Sequence, residues 1–270
     1  MSQTTLAPEG TATREPSGIL AFENVTRVFR TGLESHTALD DVSLTLQESQ
    51  RIGIIGESGS GKSTLVRMAL GLDRPTSGRV LYQGRDIHSF SQAEWLAYRR
   101  AIQWIGQDTG GAFNPRWTIR KSMMRVNTTL CGLTAKDAKD RMESLTVQMG
   151  LDAALLDRKP AALSGGQRQR FAIVRAVIPE PKVLLADEAV SALDVSVQGT
   201  VLNLLKEYCD TADCALMFVS HGLPTTAFMT HDVVVMKNGV VVEHGPTRRV
   251  LEEPEHDYTR QLVDAYTYDA

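Results

Sequence analysis

The stretch GESGSGKST, Gly56 to Thr64, narrows the folds open to this chain more than any other. It follows RIGIIG, a compact apolar run of strand type, and leads into STLVRMALGL, which reads as a helix. A strand that passes into a helix through G-x-x-x-x-G-K-[ST] is a phosphate loop, and this flanking context is what separates it from a chance glycine-rich turn. Glycines at 56, 59 and 61 let the backbone curl so that successive N–H groups face inward, at the positive end of the helix that follows. The candidate phosphate cradle is therefore the whole loop: Gly56, Glu57, Ser58, Gly59, Ser60, Gly61, Lys62, Ser63 and Thr64. Within it, Lys62 is expected to bridge the outer phosphates and Ser63 to ligate Mg²⁺.

A phosphate loop implies an α/β core, and the rest of the chain supplies one. KVLLADE carries a continuous apolar run, the mark of a strand buried on both faces of a parallel sheet, and CALMFVSH repeats it. Asp187 and Glu188 end the first of these strands at the carboxyl edge of the sheet, where ligands bind in open α/β folds. Asp187 is expected to hold Mg²⁺ through water, and Glu188 to polarise an attacking water as general base. Two acids at a strand end are by themselves more often a helix cap; the phosphate loop upstream tips the reading. His221 closes ALMFVS at the same edge, with a satisfied core histidine as the alternative, and Gln107 follows the strand QWIG, where it is either a ligand of Mg²⁺ or water or a surface amide. LSGGQRQRFAIVRAV opens a second helix whose Ser164, Gly165, Gly166 and Gln167 suit a phosphate but lack a lysine. A half-site of that kind makes sense if it closes on nucleotide held by another subunit.

Around these motifs, ILAFENVTRVF and ALDDVSLTLQ alternate with the two-residue period of half-buried strands, and DVVVMKNGVVVEHG is two β-branched runs joined by Asn238-Gly239, a hairpin signal. Residues 92 to 104 and 134 to 150 read as helices, the second with Ala138, Met142, Leu145, Val147 and Met149 near one face. Residues 1 to 17 have almost no bulky apolar side chains and read as a loose tail. A formal charge of −3 over 270 residues gives no global attraction to nucleic acid. No stretch approaches the roughly 20 apolar residues that span a bilayer, so the chain is expected in the cytosol. Cys131, Cys209 and Cys214 form no C-x-x-C pair and read as reduced thiols; the scattered histidines, His244 and His256 among them, carry no metal site.

Phosphate loop, Gln107, LSGGQ at 163 to 167, strand-plus-acids at 183 to 188, SALD at 191 to 194 and His221 follow one another in an order that resembles the ATP-binding cassette (ABC) family. The resemblance implies an α/β phosphate-loop NTPase core with a mostly parallel central sheet, an N-terminal antiparallel β subdomain and a helical subdomain at about 108 to 178, all within one nucleotide-binding domain from 18 to 270. It implies ATP and Mg²⁺ as ligands, Phe29 as the aromatic that stacks on adenine, Ser164 to Gln167 as the signature turn, and Ser191 to Asp194 as the loop linking two sites. ESGSGKST, FNPR at 113 to 116, SALDVSVQ at 191 to 198 and HDYTRQLVDA at 256 to 265 look like the peptide, nickel and opine importer branch. Implied partners are a second cassette ATPase, two membrane permease subunits and an extracytoplasmic solute-binding protein. The implied place is the cytoplasmic face of the bacterial inner membrane, with the loop from Asp108 to about Met124 receiving a coupling helix.

The chain departs from the family pattern at Ala189, in place of a proline after the catalytic glutamate, and at Gly222, in place of an aspartate, where a looser φ is expected beside the switch histidine. No iron–sulfur cluster is expected. The competing class is a cassette ATPase of a soluble assembly such as the carbon–phosphorus lyase system; the FNPR loop favours the importer.

Overall fold

The computed structural model describes residues 18–32, 34–107, 111–190, 193 and 195–268. The expected tail at 1–17, Asp108 and its two successors, and Ser191, Ala192 and Asp194 of the linking loop lie outside the described residues.

Two sheets organise the chain. In the first, β1 (Leu20–Thr31) and β2 (Glu34–Leu46) pair antiparallel, and β4 (Ser77–Tyr82) and β5 (Arg85–Asp86) extend it in the order β2-β1-β4-β5. Both long strands outrun the alternating sequence signal. The first four residues of β2 are exposed, so no burial period marks them, and backbone pairing alone carries the hairpin to Thr31↔Glu34.

The second sheet contains β3 (Arg51–Ile55), β6 (Ile102–Ile105), β7 (Val183–Asp187), β8 (Ala215–Val219), β9 (Asp232–Lys237) and β10 (Val240–Pro246), in the order β10-β9-β3-β8-β7-β6. All its pairings are parallel except the β9–β10 hairpin. Successive residues of β7 and β8 feed opposite cores. Val183, Leu185, Ala215, Met217 and Val219 pack toward the antiparallel sheet, and Leu184, Ala186, Leu216 and Phe218 toward the helices. That double burial is why these strands read as unbroken apolar runs.

The helices are α1 (Lys62–Ala69), α2 (Gln92–Ala101), α3 (Ile119–Leu130), α4 (Ala135–Gln148), α5 (Gly165–Val177), α6 (Val195–Thr211), α7 (Leu223–Met229), α8 (Thr247–Glu252) and α9 (Asp257–Tyr268). Side chains cap several of them: Ser91 and Ser164 form reciprocal boxes with Glu94 and Gln167, and Thr118 and Thr134 each accept one N–H. The helix expected over 92–104 stops at Ala101, because Ile102 to Ile105 find parallel partners at Val183 to Ala186 and continue as strand. In α4 the buried face is Ala138, Met142 and Thr146, running on to Met149, whereas Val147 is 62% exposed. Val147 stands five positions beyond Met142, about 140° round the helix, which takes it off the stripe. Arg120 on α3 ties this region together through Glu143 at 2.8 Å and Asp157 at 2.7 Å.

Candidate functional site

The parallel strands deliver the chemistry to one edge. β3 ends in the phosphate loop, β6 runs to Gln107, β7 ends at Asp187, and β8 leads to His221. The loop's curl depends on two glycines. At Gly56, with φ 147°, a Cβ would sit 2.1 Å from the Met236 carbonyl oxygen; at Gly61, with φ 105°, it would sit 2.6 Å from that of Ala38. The β9–β10 turn locks the loop from behind, Gly239 donating its N–H to Ser60 O at 3.1 Å and accepting that of Asp40 at 2.9 Å.

Lys62 opens α1 and is 6% exposed. Its Nζ donates to Gly56 O and Glu57 O, both at 2.7 Å, and to Ser60 Oγ at 3.3 Å. Burial pulls the ammonium below the usual lysine range, although Glu188, Asp187 and Glu57 pull the other way. A buried cation hydrogen-bonded, among the described residues, to neutral oxygens is poised to exchange them for phosphate. Ser63, next on the helix, hydrogen-bonds Asp187, whose carboxyl is pushed above the usual range by burial in spite of that bond. Glu188 sits in the left-handed region at φ 51°, with its N–H on Val219 O at 2.9 Å. This bend turns its carboxylate out of the strand direction, and Oε1 meets His221 Nε2 at 2.5 Å. Gly222 has φ −85°, open to any residue, so the looser φ expected there is not used; its N–H bonds Ser220 Oγ at 3.0 Å and its carbonyl starts α7.

One cavity of about 320 Å³ draws these groups together. Phe29, Ser58, Gly59, Gly61, Lys62, Ser63, Thr64, Gln107, Glu188 and His221 line it. Gly56, Glu57 and Ser60 are not among its walls, nor is Asp187. Ser164, Gly165, Gly166 and Gln167 are also away from it: the Ser164 hydroxyl accepts the Gln167 N–H at 3.2 Å, Gln167 Oε1 accepts the Ser164 N–H at 2.9 Å, and a Cβ added at Gly165 would meet nothing within 4 Å. The turn faces outward, not toward the chain's own phosphate loop. A larger cleft, about 850 Å³, opens near Ala101 and Lys182 at the amino ends of the strands, the wrong edge for these groups.

The structure adds residues the sequence reading passed over. His36 pairs across the ladder with Phe29 and lines the cavity beside it, as does Ala38. The Arg27 guanidinium lies 4.4 Å from the centre of the Phe29 ring. Gln169 on α5 is fully buried. Its Nε2 donates to the carbonyls of Ala189, next to Glu188, and Gly106, next to Gln107, and its Oε1 has no hydrogen-bond partner among the described residues. The available signal was a glutamine in register with Ile173 and Val177 on an otherwise apolar helix face.

The chemistry of these groups suits a polyanion: a curled backbone and a lysine at the loop, hydroxyl, carboxylate and amide oxygens of the kind a hard cation takes, and a carboxylate–imidazole pair. Comparisons with known proteins agree. Residues 39–191 match the family model described as ABC transporter. The oligopeptide transport ATP-binding protein OppF of Lactococcus lactis subsp. lactis is 40% identical over 228 residues, 84% of this chain and 72% of that protein. OppF of Salmonella typhimurium is 40% identical over 229 residues, 84% of this chain and 69% of its own length. Among solved structures, the dimeric ATP-binding cassette MJ0796 in a post-hydrolysis state bound to ADP and Pi superposes with a TM-score of 0.78 at 28% identity, covering 85% of this chain and 99% of that one.

Proposed function

The chain belongs to the ABC transporter family, as the ATP-hydrolysing subunit of an importer, and we propose that it energises uptake of peptides or similarly small chelating solutes by ATP-driven closure of a dimer. The observation that carries this reading is the split arrangement of the residues suited to bind phosphate. A complete cradle with acid and histidine lines one cavity, while the Ser164 turn stands outside it and open. Two such chains, or this chain and a related one, would each complete the other's site.

In this reading the loop N–H groups and Lys62 grip the β- and γ-phosphates, and Phe29 stacks on the adenine, with His36 alongside. Ser63, Gln107 and Asp187 are oxygen donors of the hard kind that suits Mg²⁺, and the Ser63–Asp187 hydrogen bond brings two of them together. Mg²⁺, when bound, neutralises charge on the transferring phosphoryl group. Glu188 takes the proton of the attacking water, and His221 holds the carboxylate in place and donates toward the γ-phosphate. Ser164 to Gln167 cap the γ-phosphate of the partner's nucleotide through the α5 N-terminus.

The wider assembly follows from the same branch: a second ATPase subunit, two permeases and an extracytoplasmic binding protein, with this chain peripheral on the cytoplasmic face of the membrane. Among the described residues no helix is long and apolar enough to cross a membrane, which suits a peripheral place. The relatives named for oligopeptide transport do not favour a soluble non-transport assembly. Glu188→Gln tests the chemistry, since the amide keeps the shape and loses the base. ATP binding should persist, turnover should vanish, and an ATP-bound dimer should accumulate on gel filtration. Near-normal hydrolysis would remove Glu188 from the role of base.

A further inference from the structure

The segment HDYTRQLVDA marks the branch but plays no part in the site as described so far, and the structure brings it back to the phosphate loop. Tyr258, on the first turn of α9, is 3% exposed, with its ring in a small core that includes Ile55, the last residue of β3 before the loop. Its hydroxyl oxygen accepts the N–H of Glu57 at 2.9 Å. Lys237 also holds the ring, its Nζ standing 4.4 Å from the ring centre. The turn that presents Tyr258 is itself pinned to the sheet. Buried Glu243 on β10 accepts the N–H groups of Glu255 at 3.0 Å and His256 at 3.1 Å, and His256 Nδ1 accepts that of Tyr258.

We propose that Tyr258 is a positioning residue for nucleotide binding: its hydroxyl fixes the second residue of the phosphate loop, and so the aim of the cradle, from the C-terminal helix. A loop that curls through a left-handed glycine leaves successive N–H groups pointing in different directions, and each either meets phosphate or needs another acceptor. The Glu57 N–H is taken by Tyr258 from outside the cavity. At the opposite end of the same peptide unit the Gly56 carbonyl accepts Lys62 Nζ at 2.7 Å. The Gly56–Glu57 peptide unit is thus clamped at both ends, its carbonyl by the lysine that reads phosphate and its N–H by α9. Freeing the N–H lets this peptide rotate and takes the lysine's standby acceptor with it. The inference rests on the phosphate loop as the nucleotide site, and Lys62→Ala serves as the control for that premise.

The test is Tyr258→Phe in the full chain, which deletes the hydroxyl and keeps the ring in its small core and beside Lys237. Three readouts are taken: calorimetric affinity for MgATP and MgADP, apo melting temperature, and amide hydrogen exchange across the loop. Loss of one positioning hydrogen bond should raise both dissociation constants about three- to tenfold. Exchange at Glu57 should accelerate while the amides of Ile54 and Ile55 and the apo melting temperature hold still. Affinities within about twofold of the unmodified chain would overturn the proposal. So would weaker binding that came with faster exchange at Ile54 and Ile55 and a lower apo melting temperature, since that is general loosening of the small core. If Lys62→Ala also bound nucleotide normally, the site reading itself would fall. A loss in Lys62→Ala without one in Tyr258→Phe would sink this inference alone.

Discussion

Replacing Lys62 with alanine separates binding from folding in a way the structure makes quantitative. In the nucleotide-free chain the ammonium is buried and bonded to three neutral oxygens, and burial has drawn its pKa down. Removal therefore has two opposed effects on the apo protein, the loss of those bonds and the relief of a buried charge. The net change in stability should stay within about 1 kcal/mol, or about 2–4 °C in melting temperature for a chain of this size. Nucleotide affinity has no such offset. A charge-assisted contact to phosphate contributes about 1.5–3 kcal/mol, so the dissociation constant for MgATP should rise about 10- to 160-fold. Titration calorimetry with MgATP and a thermal melt of the same sample measure both. An affinity unchanged within threefold would refute the phosphate assignment. A melting temperature lower by 10 °C or more would show that the lysine holds the loop together and that the opposed effects do not cancel.

Gly56→Ala should weaken MgATP binding by at least about tenfold, because φ 147° is strained by about 1–3 kcal/mol and the Met236 carbonyl at 2.1 Å leaves no room for a Cβ; Gly59→Ala, with φ 80° and nothing within 4 Å, carries the backbone strain without the clash and should cost less by the same titration. Ser164→Arg should leave the chain's own nucleotide binding within about twofold but abolish turnover at the partner's site in the assembled complex, as read by photo-crosslinked ATP on each subunit beside phosphate release. Glu243 predicts an acid limb. Burial raises its carboxyl, but the N–H groups of Glu255 and His256 and the Arg249 guanidinium outweigh this and hold it below its ordinary value of 4.5. Its contribution to stability is complete above that value and lost as pH falls through the lower folded one, so melts from pH 7 to 3 should show a flatter acid limb in Glu243→Gln.

What could be read from sequence was whatever a strand end announces. Gln107, Asp187 and His221 each follow an apolar run, and parallel pairing sends every such end to one edge, so local pattern was enough to gather them. His36 was hidden because its neighbour Phe29 is set by ladder register, and β1–β2 register shifts between Phe22 and Val28 in a way no alternation reveals. The strand at Ile102 was partly masked by a helical pattern that ran into it; only the β7 partner decides where the helix gives way. Gln169 looked like one more polar residue after the signature, and its worth lies in two carbonyls, at Gly106 and Ala189, brought to it by the tertiary fold. The Ser164 turn was legible as a phosphate-type helix start, and its missing lysine already pointed to nucleotide held elsewhere.

The braces of the phosphate loop also set a timetable for synthesis. The loop is translated well before Met236 and Gly239 behind it and Tyr258 beside it, the Glu57–Tyr258 pair being 201 positions apart. At about 5–20 residues per second the ribosome needs about 10–40 s to cover that distance. Through that interval the nascent chain carries its cradle in sequence but without its braces, and on the proposal for Tyr258 its full nucleotide affinity arrives when α9 docks.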